Sequence, residues 1–86
     1  MKVTIPSPLY SYTGHRREVA ASGSTLGALL ADLDRQFPGI RFRMIDEQER
    51  VREHIRLFVN KQLCTDLNAP LSERDVVQII TSISGG

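Results

Sequence analysis

The sequence predicts an α+β fold, a mixed sheet of about five strands packed on one main helix. Three observations predict it. Segments rich in β-branched residues recur at "KVTI", "IRLFVN" and "VVQIITSI". One segment, from Leu26 to Phe37, has the hydrophobic period of a helix. No internal repeat or linker interrupts the 86 residues, so positions 1–86 read as a single domain. A chain of this size buries only about 60% of its surface on folding. A large internal active-site cavity is not expected.

In chain order, "KVTI" reads as a strand, halted by Pro6 and Pro8 because proline cannot donate to a sheet ladder. Thr13-Gly14 then offers a turn, and Arg16 to Ala20 a returning strand, which together make a hairpin. Leu26, Leu29, Leu30, Leu33 and Phe37 fall on one helical stripe, with Asp32, Asp34, Arg35 and Gln36 opposite. Ser24 or Thr25 can cap this helix, and Pro38-Gly39 ends it. Gly27, costly within a helix, marks a close backbone approach, expected to be to the sheet. Ile40, Phe42, Met44 and Ile45 suggest a short helical turn tucked under the domain, followed by a loop through "DEQER". Arg43, Arg50, Arg52 and Arg56 interleave there with Asp46, Glu47, Glu49 and Glu53, the pattern of a solvated loop rather than a basic patch. A strand from Ile55 to Asn60 follows, with Lys61-Gln62 as a turn, "LCT" as a brief returning strand and "DLNAPLSERD" as a surface loop. The last strand runs from Val76 to Ile83. It sets Val77, Ile79 and Ile83 on one side, and Val76 and Ile80 on the other.

Composition excludes several functions. With 41% apolar residues, 24% charged residues and a net charge of +1, there is no electrostatic case for nucleic acid or a membrane as partner. The opening "MKVTIPSPLY" lacks the features of a signal peptide, and no apolar run approaches about 18 residues. The protein therefore reads as cytoplasmic. Cys64 is the single cysteine and reads as a small apolar filler. His15 and His54 have no second ligand at metal spacing, and no phosphate loop, HExxH, GxSxG or CxxC occurs. Neither a metal nor an intrinsic cofactor is expected, and the chain does not read as an enzyme.

The ending "VVQIITSISGG" carries the functional signal. Gly85-Gly86 follows directly on a strand, so a rigid domain aims the tail. Neither glycine has a Cβ, so the backbone can thread a channel too narrow for side chains. Extended from Ser82, the tail reaches about 15 Å. Such a tail delivers its own carboxylate into another protein's active site.

These segments resemble the ThiS/MoaD-like sulfur carriers of the ubiquitin-like β-grasp fold, over essentially the whole chain. "TLGALLADLDRQFPGI", "FVN" from Phe58 to Asn60, and "LSERDVVQIITSISGG" carry the resemblance. Arg74 departs from it, standing where the family usually has glycine, and so does Thr81-Ser82, where prolines are common. The long segment before "FVN" is similar to carriers linked to cysteine synthesis.

The resemblance implies covalent sulfur attachment at Gly86, with Gly85 in the threading tail. It implies a partner adenylyltransferase of the ubiquitin-activating type, which uses ATP and magnesium. Further implied partners are a sulfur donor protein or sulfide source, a downstream synthase, and a metalloprotease. Ile80, with Ile83, Ser84 and Phe58, forms the expected docking patch. Two alternatives share the fold: a modifier conjugated to lysines through Gly86, and a non-covalent binding module.

Overall fold

The computed structural model describes residues 1–81. The expected strand end at Ile83, together with Ser84, Gly85 and Gly86, lies outside the described residues. Five strands, β1 (Lys2–Thr4), β2 (Glu18–Ala20), β3 (Ile55–Val59), β4 (Gln62–Leu63) and β5 (Val76–Thr81), form one sheet in the order β2-β1-β5-β3-β4. β5 is central, parallel to β1 and antiparallel to β3. Helix α1 (Leu26–Gln36) supplies the main layer on the sheet, and α2 (Ile40–Met44) follows it.

The core forms where two periodicities meet. Leu26, Leu29, Leu30 and Leu33 of α1 are fully buried, as are Val3, Leu57 and Val77 from alternate positions of the strands. Thr25 is the cap of α1, its hydroxyl accepting from the Ala28 amide at 3.1 Å. The remaining free amides of the first turn are taken by the loop before β5: Leu26 N–H donates to the Ala69 carbonyl at 3.0 Å, and Gly27 N–H to the Leu67 carbonyl at 2.8 Å. This corrects the expected role of Gly27. A Cβ there would lie 3.0 Å from the Leu67 carbonyl oxygen, so the close approach is to this loop and not to the sheet.

Several features differ from expectation. A 3-10 helix, Ser7–Tyr12, fills the connection after β1, with Pro8 near its start, where a missing N–H is tolerated. The chain then turns through Gly14 and His15, both at positive φ. Buried Thr13 donates its hydroxyl to the Arg16 carbonyl at 3.0 Å, which holds Arg16 in the turn and delays β2 to Glu18. Phe42 is not tucked under the domain but 55% exposed. In α2 the helical period buries Ile40 and Met44 together and sends the residue between them to the opposite side. Finally, Asn60 and Lys61 both adopt left-handed φ, 51° and 71°, so they are the hairpin turn. β3 therefore ends at Val59 and β4 begins at Gln62.

Candidate functional site

The segment that the sequence singles out, residues 82–86, lies outside the described residues; what the structure describes is strand β5 before it, beginning at its opposite end. A turn from Ser72 to Asp75 delivers the chain into β5, the Asp75 amide donating to the Ser72 carbonyl at 3.0 Å. The Asp75 carboxylate accepts the Ser72 amide at 2.8 Å, the Ser72 hydroxyl at 3.1 Å and the Asn60 side-chain amide at 2.8 Å. Asn60 completes the lattice: its side-chain oxygen accepts from the Val76 amide at 2.9 Å, and its own backbone amide donates to the Val76 carbonyl at 2.9 Å. Hydrogen bonds from the Ser72 backbone amide and then the Asn60 side chain hold the Asp75 carboxyl below the usual carboxylate range. The motifs "FVN" and "LSERD" thus meet in space, clamping the start of the central strand. Arg74 does not adopt positive φ, so this turn is not one that demands glycine at its third position.

At its other end, the last described residue of β5, Thr81, lies opposite Ile55 of β3. Alternation along the strands separates two faces. Val77 and Ile79 point into the core. Ile80 points away and is 44% exposed, opposite Arg56. Phe58 lies on that same outer face, half-buried, opposite Gln78 on one side and Leu63 on the other. Ile80 and Phe58, two members of the expected docking patch, are therefore diagonal neighbours. Their expected companions Ile83 and Ser84, and Gly85 and Gly86 themselves, lie outside the described residues.

The sequence reading missed Leu63. It is 58% exposed on the outer face, and the signal was available: with Asn60-Lys61 as the turn, position 63 falls opposite Phe58. Cys64 is half-buried against the core, its thiol 3.7 Å from the Asp66 carbonyl oxygen. Among the described residues no group of three or more His, Cys, Asp or Glu side chains could hold a metal ion. No described helix is long and apolar enough to cross a membrane.

A mixed five-stranded sheet with a central strand parallel to the first, carrying one main helix, is the ubiquitin-like β-grasp. The ThiS family model matches residues 3–86, and the chain belongs to the ThiS family. It is 33% identical to the sulfur carrier protein CysO of Mycobacterium tuberculosis strain H37Rv over 89 aligned positions, covering 98% of this chain and 96% of that protein. The crystal structure of Mycobacterium tuberculosis CysO superposes with a TM-score of 0.89 at 30% identity, covering 95% of this chain and 98% of that one. A chain of the Amycolatopsis orientalis BexX/CysO complex superposes with a TM-score of 0.90 at 28% identity, covering 99% and 98%. SAMP1 from Haloferax volcanii, at 22% identity and a TM-score of 0.79 over 100% and 98%, shares the fold.

Proposed function

We propose that the protein is a sulfur carrier whose reactive group is the Gly86 carboxylate, and that it serves the synthesis of cysteine or a related sulfur metabolite. The observation that carries this reading is the family match, which runs through residue 86 and so includes the Gly85-Gly86 ending. The name of its 33% identical relatives, sulfur carrier protein CysO, supports the same role.

The chemistry proceeds in two displacements. A partner adenylyltransferase of the ubiquitin-activating type, using ATP and magnesium, positions the Gly86 carboxylate against the α-phosphorus. A carboxylate oxygen forms the new P–O bond, and pyrophosphate leaves. Hydrosulfide from a sulfur donor then adds to the acyl carbon of the adenylate, AMP departs, and a proton is released. The product is a Gly86 thiocarboxylate. A downstream synthase takes the sulfur, and a metalloprotease trims the carrier where the acceptor has become attached to it. The clamped start of β5 supports this role because it fixes the strand from which the tail continues. Ile80 and Phe58, with Leu63 beside them, supply an apolar surface for the partners. All bond-making groups reside in those partners, so this chain acts as a co-substrate.

Gly86→Ala, or one residue added after Gly86, is expected to abolish ATP–pyrophosphate exchange by the activating enzyme while leaving the unfolding midpoint unchanged. Retained exchange would sink the carrier reading. The intact mass of the untagged protein from its own host should include a species heavier by the difference between sulfur and oxygen, sensitive to alkylation. Isopeptide-linked adducts without that species would instead make the chain a modifier.

A further inference from the structure

Around the start of β3, charges that alternate in the sequence are sorted in space. Glu49 holds Arg41 in a two-pronged ion pair, at 2.8 and 3.2 Å. The Asp46 carboxylate accepts the Gln48 and Arg50 backbone amides at 2.9 and 3.0 Å. Those two acids are thus engaged within the loop. Arg43 and Arg52 have neutral partners instead: Arg43 Nε donates to the Tyr12 hydroxyl at 2.7 Å, and Arg52 Nε to the Phe42 carbonyl at 2.7 Å. A neutral acceptor orients a guanidinium without cancelling its charge. It also leaves the two terminal nitrogens as a fork, the geometry that matches a carboxylate.

Both arginines, with Phe42 and His54, line a cavity of about 220 Å³, and among the described residues no carboxylate lines it. The Arg52 guanidinium lies 4.5 Å from the centroid of the exposed Phe42 ring, so cation and phenyl form one surface. This surface has a telling position. Arg52 and His54 lie just before Ile55, and Ile55 pairs with Thr81, after which residues 82–86 follow.

We propose that Phe42, Arg43, Arg52 and His54 form a second docking surface, which receives an acidic rim bearing an apolar side chain on the activating enzyme that takes the tail. The proposal rests on the carrier reading given above. Any enzyme that admits the tail must bring its own surface up to the end of β5, where this patch lies. A protein segment fits better than a polyanion: Glu53, exposed and next in the chain to both Arg52 and His54, would oppose an extended phosphate backbone, whereas a single carboxylate can be seated on the arginine forks away from it. The exposed phenyl, for its part, offers an apolar contact to such a segment. The patch is distinct from the outer-face group of Ile80, Phe58 and Leu63, and it adds charge-dependent steering to that apolar contact.

The test is ATP–pyrophosphate exchange by the activating enzyme from the same organism, at low and physiological ionic strength, with the full chain as substrate. Arg43→Glu/Arg52→Glu should raise the KM for this protein about tenfold or more with kcat little changed, and should remove most of its salt dependence. Arg43→Lys/Arg52→Lys, which keeps charge but loses the fork, should fall between. Phe42→Ser, an uncharged change at an exposed position, should raise KM about threefold or more, so the idea remains open to refutation even if the charge-reversed protein folds poorly. Lys61→Glu/Arg74→Glu, at the opposite end of β3 and β5, makes the same change in net charge and should leave KM within about twofold. An unchanged KM in the Arg43/Arg52 reversal, or an equal rise in the Lys61/Arg74 control, would overturn the proposal. Binding of a polyuridine oligomer that the reversal abolishes would assign the patch to nucleic acid and overturn it as well. Absence of exchange with the wild-type chain would instead remove the carrier reading, and this inference with it.

Discussion

The two ends of β5 are built on opposite principles. At its start the strand is paired on both sides, to β1 through Val76, Val77 and Gln78 and to β3 through Val77 and Gln78. There it is also clamped by Asn60 and Asp75. Beyond Gln78 the ladder to β1 stops, and Ile79, Ile80 and Thr81 pair with β3 alone. Strand pairing is thus concentrated where β5 enters the sheet and thinned toward Thr81, before residues 82–86. In the proposed carrier role this division would serve presentation of the terminus, since the fixed end sets a direction while the other end is paired to β3 alone among the described residues.

Breaking the fixed end should cost the most. Asn60→Ala removes the side-chain bonds to Asp75 and Val76 and places alanine at a φ of 51°, which alanine tolerates less well than asparagine. The expected loss is about 1–3 kcal/mol of unfolding free energy, read from urea titration. Hydrogen exchange should locate the change: protection of the Val76 amide should fall while that of the mid-strand amides falls only with global stability. An unchanged Val76 amide would show that the clamp is incidental.

Acid should loosen the same end. The Asp75 carboxyl, held by Ser72 and Asn60, titrates below its unfolded-state value, so its contribution is fully present above about pH 4 and is lost as pH falls through the lowered folded value. Asp32 has the same sign, held first by Arg35 and then by the Ser22 amide, so it adds to the effect from α1. Unfolding in urea at successive pH values below about 5 should therefore show falling stability with a shallower slope in Asp75→Asn. Equal slopes in the two proteins would remove Asp75 as a cause.

What the sequence made legible, and what it hid, follows the range of the interactions. The stripe of α1 and its cap were legible because a helix's period and its first free amides are local properties. The outward direction of Ile80 was legible because alternation is local too. The Gly85-Gly86 ending was legible as part of a family pattern, since the family match runs through residue 86. Long-range contacts were hidden. The 3-10 helix at Ser7–Tyr12 leads into a turn held by buried Thr13, and nothing in "SPLYSYTG" announces that burial. The clamp joins Asn60 to Asp75, 15 positions away. The alternating charges from Arg41 to Arg56 read as one solvated loop because a linear string does not say which acid meets which base. Once Glu49 takes Arg41 and Asp46 turns to the backbone, the same string leaves Arg43 and Arg52 around Phe42.

The smallest expected effect tests whether Arg74 is a defect or an adaptation of the clamp. Glycine at this place would suit a turn whose third residue has positive φ, but Arg74 does not adopt one, and the Asp75 amide still closes the turn on the Ser72 carbonyl at 3.0 Å. Arginine therefore incurs no backbone strain here, whereas glycine would give the unfolded chain more conformations to lose on folding. Arg74→Gly is expected to lower stability by about 0.4–1 kcal/mol without altering protection at Val76. A gain in stability would mean that the turn prefers the left-handed conformation once it is permitted. The arginine would then be a strain that the bonds from Ser72 and Asn60 to Asp75 hold in place.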